Sequence, residues 1–175
     1  MQRSSEDFIE LLKPIYSNAI SYCIALTRNE TEAKDLLQDS LLKALEKFTA
    51  LRDDTKFKPW LFTILTRRYY ALYQKSLIKK NFLNESYYFE TVEFPQIFEK
   101  ETNELNQKAL LEALGLITEK ERVAIVLFEV GDFSMEEIRM IQGEKSLSAV
   151  KSRISRTRIK LKELILAIQK TLTNR

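Results

Sequence analysis

Glycine and proline, the two residues that interrupt helices most strongly, are scarce in this chain. Only three glycines and three prolines occur among its 175 residues. Turn-rich β architectures need many such residues, whereas a helix is weakened by each one in its interior. The scarcity therefore predicts an all-α protein, and the length suits one or two small domains.

Apolar residues in the first part of the chain recur at three- and four-residue spacing, as buried helical faces require. We expect several helices within residues 1–80, one opened by a capping box at Asn29 and Glu32 and a later one beginning near Pro59. Residues 81–108 lose this periodicity, and between residues 85 and 106 six glutamates stand against a single lysine. This composition predicts an acidic linker between two small helical domains.

Periodicity returns in the second domain, which we place at residues 109–175. Capping boxes are predicted at Thr118 with Glu121 and at Ser134 with Glu137, and Gly131 is expected to end the first of these helices as a glycine C-cap. A turn near residue 143 separates the second helix from a long basic one, which begins at residue 146 or 148. A short helix, a turn and a longer basic helix are typical of a helix-turn-helix motif.

Several classes of function lack the residues they need. The chain has no histidine and one cysteine, Cys23, so histidine-based catalysis, internal disulfides and cysteine-rich zinc sites are excluded. Its three glycines lie too far apart for a phosphate-binding loop. We therefore predict no enzyme activity, metal or cofactor. The longest apolar run, residues 123–128, is too short to span a membrane, and no signal peptide is visible, so a cytoplasmic protein without membrane insertion is expected.

The final helix has an apolar stripe, and from residue 146 to residue 162 its charged residues are all basic. Arginine and lysine bind phosphates, and short polar side chains near the helix N-terminus can approach base edges in the major groove. A solvated basic face would explain the charges equally well if the helix stood alone. The capped helix and turn before it favour DNA binding.

Four stretches resemble extracytoplasmic-function sigma factors of bacterial RNA polymerase. Residues 133–143 and 150–158 are similar to region 4, residues 29–39 to region 2.2, and residues 57–67 to regions 2.3 and 2.4. The regions stand in the family's order along nearly the whole chain. The resemblance implies a subunit that binds core RNA polymerase and directs promoter-specific initiation, while the chemistry belongs to the polymerase.

The resemblance also implies site residues and partners. In the family, region 2.2 docks on the clamp helices of the large catalytic subunit. The expected partners are therefore core RNA polymerase, through the clamp helices and the flap of its large subunits, promoter DNA, and an anti-sigma factor. The polymerase-binding residues would be Asp35, Gln38, Asp39 and Leu41. The residues that bind and melt the −10 promoter element would be Lys56, Lys58, Arg67, Arg68, Tyr69 and Tyr73. The −35 element would be bound by Lys151, Ser152, Arg153, Ser155, Arg156 and Arg158.

Other interpretations remain open for parts of this pattern. The polar face formed by Asp35, Gln38 and Asp39 could be ordinary solvated surface. Tyr69 and Tyr73 could equally belong to the core. For the whole chain, the alternatives are a helix-turn-helix regulator that acts without polymerase and a sigma-like adaptor that binds only proteins. The first would not need the Asp35, Gln38 and Asp39 face, and the second would not need the basic final helix.

Overall fold

The computed structural model describes residues 3–82 and 104–173, and eight α-helices make up most of both stretches. The N-terminal half (residues 3–82) contains α1 (Ser5–Leu12), α2 (Tyr16–Thr27), α3 (Glu30–Lys47) and α4 (Phe57–Phe82). The C-terminal half (residues 104–173) contains α5 (Glu104–Gly115), α6 (Glu119–Glu129), α7 (Met135–Gln142) and α8 (Leu147–Thr173). The described residues include no strand, and the all-α prediction is confirmed.

The predicted linker, residues 81–108, lies largely outside the described residues. Where the structure does describe it, the backbone is helical, because α4 continues to Phe82 and α5 begins at Glu104. The described helices therefore extend further into this stretch than the sequence periodicity indicated.

Side-chain caps form at the three helix starts where the sequence predicted them. At Thr118 and Ser134 the hydroxyl accepts the backbone N–H three residues on, and the glutamate there accepts the cap's own N–H, so both predicted capping boxes form. At Asn29 only one of the two bonds matches the prediction: its side chain accepts from the N–H of Glu32 at 2.9 Å. The N–H of Asn29 itself is bound at 3.4 Å by the hydroxyl of Thr27.

The end of α6 differs from the prediction. The left-handed residue there is Asp132, with φ 53°, and Gly131 is not in that conformation. Gly131 is needed for space, because a Cβ at this position would lie 2.6 Å from the Phe133 ring and 2.7 Å from the Leu127 carbonyl oxygen. Gly143 does adopt φ 67° and ends α7 as expected.

Aromatic rings form one end of the core in the N-terminal half. Phe8, Phe48 and Phe57 meet edge to face, with ring centroids 5.2 to 6.0 Å apart. They join the end of α3 to the start of α4. Leu45 of α3 is 41% exposed, so the buried stripe of that helix is narrower than its apolar residues suggest.

The long helix α8 organises the C-terminal half. Its predicted stripe is buried at Val150, Ile154 and Leu161, which pack in the core shared with α6 and α7. The helix α5 also lies against α8. Phe133 of this half meets Phe62 of α4 with ring centroids 4.9 Å apart, so a single hydrophobic core continues from one half into the other.

Candidate functional site

The polar face predicted on α3 is exposed. Asp35 and Gln38 point to solvent, and Asp39 is partly exposed and forms an ion pair with Arg68 of α4. Leu41, predicted to belong to this face, instead packs against the core. Its neighbour Leu42 is 56% exposed and supplies the apolar surface beside the acids.

The turn before α4 carries the first of the basic residues predicted at the −10 element. Lys56 is exposed there. The Asp53 carboxylate accepts from the Thr55 hydroxyl at 2.7 Å and from its backbone N–H at 3.0 Å, and these bonds lower the pKa of Asp53. The turn is thereby held in a defined shape ahead of Lys58, which is half-buried at the start of α4.

The aromatic residues of α4 are less accessible than a DNA-stacking surface requires. Tyr69 is 5% exposed, and its hydroxyl accepts from the guanidinium of Arg122 at 2.8 Å. Burial raises the pKa of Tyr69. Tyr73 is half-buried and stacks on Tyr69 with ring centroids 6.2 Å apart. In this arrangement Tyr69 belongs to the core, while Arg67 is exposed on the same helix.

The start of α8 presents a polar surface. The Ser146 hydroxyl accepts from the N–H of Ala149 at 3.3 Å, so the helix begins where the sequence predicted. Four of the six residues predicted at the −35 element are exposed, and their side chains make no hydrogen bond or ion pair within the described part of the chain. These four residues are Lys151, Ser152, Ser155 and Arg156.

The remaining two arginines of that set are engaged within the protein. Arg153 donates to the Gln142 side chain at 3.1 Å and to the carboxylate of Glu144 at 2.8 Å. Burial opposes ionisation of Glu144, but the hydrogen bonds and positive charges of Arg153 and Lys120 together outweigh it, and the pKa of Glu144 is lowered. Arg153 therefore ties α8 to the end of α7 and to the turn between them.

Arg158 is more exposed than Arg153 but also has an internal partner. It donates to the carboxylate of Glu129 at 2.7 Å, and its guanidinium carbon lies 4.8 Å from the centroid of the Phe128 ring. Both partners of this ion pair are about half exposed, so DNA phosphates could compete with Glu129.

Arg122 is a residue that the sequence analysis did not single out. It is 4% exposed, and its guanidinium donates to the carbonyl oxygens of Leu114, Leu26 and Ile117 as well as to Tyr69. Such a buried arginine is stable only because its donors are satisfied. Its sequence context gives no sign of burial, since acids and another base surround it.

The described residues offer little for other kinds of site. Among them, no group of histidine, cysteine, aspartate or glutamate side chains is placed to hold a metal ion. Over the same residues, no helix has both the length and the apolar character needed to cross a membrane.

Comparison with known sequences identifies the family. Residues 11–76 match the family model described as Sigma-70 region 2. The chain is 30% identical over 141 residues to RNA polymerase sigma factor SigV of Bacillus subtilis (strain 168), covering 81% of this chain and 78% of the relative. It is 29% identical over 145 residues to ECF RNA polymerase sigma factor EcfG of Rhodopseudomonas palustris (strain TIE-1), covering 83% and 77%.

A solved structure agrees with these relatives over both halves of the chain. The fold is similar to that of the sigma factor RpoE of Bartonella quintana, solved in complex with the anti-sigma factor NepR, with a TM-score of 0.77 and 28% identity. The match covers 91% of this chain and 97% of the RpoE chain. This protein belongs to the extracytoplasmic-function family of RNA polymerase sigma factors.

Proposed function

We propose that this sigma factor binds core RNA polymerase through α3 and contacts promoter DNA through two further surfaces, one in each half. Membership of the sigma-factor family favours this function over a polymerase-independent regulator and over an adaptor that binds only proteins. In the proposed division, residues 1–80 bind the polymerase and the −10 element, and residues 109–175 bind the −35 element. Residues 81–108 connect these two parts.

The docking surface is the exposed face of α3. Asp35 and Gln38 offer acceptors and donors to a partner, and Leu42 beside them offers an apolar contact. Asp39 is shared, because its carboxylate already binds Arg68. A protein interface combines such an apolar contact with a polar rim.

The −10 surface is formed by α4 and the turn before it. Its proposed members are Lys56, Lys58, Arg67, Arg68 and Tyr73, and the buried Tyr69 packs against Tyr73 from the core. Cations can hold the backbone of a separated strand, and aromatic rings can replace the stacking that the bases lose. Lys56 and Arg67 are exposed and available for the first role.

The −35 surface lies at the start of α8, and its exposure is the single observation that carries the proposal. Lys151, Ser152, Ser155 and Arg156 are side chains suited to base edges and phosphates, and no described residue engages them. Arg153 positions this surface through its bonds to the end of α7 and the turn after it, and Arg158 is the candidate for a phosphate contact at its edge.

The partners follow from this assignment. Core polymerase carries out the chemistry of RNA synthesis. The sigma factor acts with it on the chromosome, in the cytoplasm. The structural neighbour is a sigma factor held by an anti-sigma factor, which supports a regulator of that kind here. No cofactor is needed for any of these roles.

The test is co-purification with core polymerase followed by run-off transcription on promoter fragments. Asp35→Lys reverses one exposed charge of the docking face, and Glu10→Lys reverses an exposed acid on α1 as the matched control. Asp35→Lys is expected to reduce polymerase binding at least tenfold, with the circular dichroism spectrum unchanged, because such surface substitutions alter stability by less than about 0.5 kcal/mol. Equal binding by both variants would refute the docking face.

A further inference from the structure

Arg3 precedes the first helix, yet its side chain lies against the turn before α4. The guanidinium forms an ion pair with Asp54, in which Nη1 and Oδ1 are 2.6 Å apart. Asp54 belongs to the exposed turn, residues 52–56, which carries Lys56 of the proposed −10 surface. This ion pair therefore joins the start of the N-terminal half to a DNA-binding element that lies far from it in the sequence.

The aromatic core holds the Arg3 side chain from a second direction. Its guanidinium carbon lies 4.8 Å from the centroid of the Phe48 ring, a distance at which a cation is attracted to the ring face. Phe48 is 2% exposed and meets Phe8 edge to face. The two partners of the ion pair differ in exposure, because the side chain of Arg3 is 20% exposed and that of Asp54 is 61% exposed. Arg3 is thus the fixed partner, and Asp54 is the one that it holds.

The backbone beside Arg3 is also fixed. Ser4 caps α1, since its N–H donates to the carboxylate of Asp7 at 2.8 Å and its hydroxyl accepts from the N–H of Asp7 at 3.2 Å. One turn further along, Phe8 is buried against Phe48. A residue placed directly before such a capped helix start has little freedom to move away from the turn.

Arg3 anchors the exposed part of this turn. The flanking residues Leu51 and Phe57 are buried, so both ends of the turn are fixed by the core. Between them, the described residues show one side-chain bond that reaches an exposed residue of the turn from outside it, and Arg3 makes that bond. Bonds from Thr55 are the main reason that the pKa of Asp53 is lowered, and the positive charge of Arg3 adds to the effect.

We propose that Arg3 is a positioning residue for the −10 surface: by holding Asp54, it keeps the exposed turn in a position from which Lys56 can bind a separated DNA strand. This inference rests on the function proposed above. A surface that is already ordered loses less freedom when it binds a flexible strand, and it therefore binds more tightly. In this proposal Arg3 itself contacts no DNA and acts through Asp54.

The exposure of the ion pair sets the size of the expected effect. Partly exposed ion pairs change the equilibria that depend on them by a small factor, and the contact with the Phe48 ring adds to this one. Loss of the Arg3 charge should therefore weaken strand binding about two- to fivefold. The fold should persist, because the aromatic rings beneath Arg3 keep their contacts with one another.

A double-mutant cycle in the assembled holoenzyme tests the proposal. The full chain, bound to core polymerase, is titrated against a fluorescein-labelled single-stranded oligonucleotide that carries the −10 sequence of a promoter it transcribes. Arg3→Gln should raise the dissociation constant about two- to fivefold, and in the Asp54→Asn background the same substitution should have no further effect. Arg3→Lys keeps the charge but loses the planar contact with Phe48, so its dissociation constant should lie between those of Arg3→Gln and wild type.

Lys13→Gln is the matched control. Lys13 is exposed in the same half, and its side chain makes no hydrogen bond or ion pair among the described residues. The substitution removes one positive charge without affecting the turn, so strand binding should equal that of wild type. A duplex that carries only the −35 element should bind all these holoenzymes equally. Parallel losses on that duplex would show a general structural defect and overturn the positioning role.

Amide hydrogen exchange of the free chain supplies a measurement that needs neither polymerase nor DNA. Peptides covering residues 52–56 should exchange faster in Arg3→Gln than in wild type or Lys13→Gln. Exchange at the wild-type rate would overturn the proposal, and so would faster exchange with unchanged strand binding. A loss of strand binding that persists in the Asp54→Asn background would also overturn it, because Arg3 would then act without Asp54.

Two further outcomes are kept distinct. If Arg3→Gln does not fold, Asp54→Asn removes the same ion pair from its exposed end, and both the faster exchange and the weaker strand binding are expected in that variant. If the proposed function is wrong, the wild-type chain will bind neither core polymerase nor the −10 strand, whereas the difference in hydrogen exchange will remain.

Discussion

The buried hydrogen bond between Tyr22 and Thr66 permits a quantitative prediction about the core. The two hydroxyl oxygens lie 2.7 Å apart, and neither side chain is exposed. Thr66 also donates to the carbonyl of Phe62 at 2.7 Å. A hydroxyl has one hydrogen, and that of Thr66 is donated to the Phe62 carbonyl. Tyr22 must therefore be the donor in the bond between Tyr22 and Thr66.

That polarity makes the two single substitutions unequal. Thr66→Val leaves the Tyr22 hydroxyl buried without an acceptor and should destabilise the protein by about 1–3 kcal/mol. Tyr22→Phe removes the donor while Thr66 keeps its bond to Phe62, so the expected loss is about 1 kcal/mol. The double variant leaves no orphaned donor. It should be more stable than the sum of the single losses implies, by about 1 kcal/mol or more.

Urea unfolding of the four proteins at neutral pH measures these differences, provided that the slopes of the transitions agree. Alkaline pH adds a second test, because burial raises the pKa of Tyr22 above its ordinary value near 10. The unfolded tyrosine ionises first, so stability that is present below about pH 10 is lost as the pH rises further, and Tyr22→Phe should reduce this loss. Additive single losses would show that the two hydroxyls are not coupled, and a larger loss in Tyr22→Phe than in Thr66→Val would show that Tyr22 is not the donor.

Three further predictions concern other buried or paired groups. The hydroxyl of Thr157 is buried without a hydrogen-bond partner among the described residues, so Thr157→Val should stabilise the protein in urea by about 1 kcal/mol. Glu129→Gln releases Arg158 and should tighten promoter binding up to about fivefold in fluorescence anisotropy, whereas the control Glu136→Gln, on α7, should not. Burial raises the pKa of the Cys23 thiol, so the unfolded chain ionises first and stability is lost as the pH rises above about 8.5. Thermal unfolding of Cys23→Ala should show a smaller loss of stability at alkaline pH.

Features set by residues close together in the chain were predictable. The capping boxes at Thr118 and Ser134 formed as expected, because both partners of each bond lie three residues apart on one turn of helix. Leu41 and Leu42 show the limit of such reasoning. Both are leucines on α3, and which of them faces inward depends on how α3 packs against α2 and α4.

The position of Arg122 could not be read from its neighbours in the chain. Its acceptors include the carbonyls of Leu26, at the end of α2, and Leu114, at the end of α5. The last carbonyls of a helix lack partners within it and carry the negative end of the helix dipole. Arg122 binds two such ends at once, and this arrangement exists only after α2 and α5 have packed together.

The charges on α8 set a limit on how strongly the C-terminal half binds DNA. Arg153 is held by Glu144 and Arg158 by Glu129, which leaves Lys151 and Arg156 as the exposed cations of the −35 surface with no ion pair among the described residues.

Each phosphate that a cation neutralises contributes about −0.9 to the slope of log K against log salt concentration. Two such contacts give a slope of about −2, and Glu129→Gln should move it toward about −3 by freeing Arg158. Anisotropy titrations of a −35 duplex over a range of salt concentrations measure this slope, and an unchanged slope in Glu129→Gln would show that Arg158 contacts no phosphate. With so few contacts, this half alone holds DNA weakly, so promoter selection depends on the polymerase presenting both DNA surfaces at once.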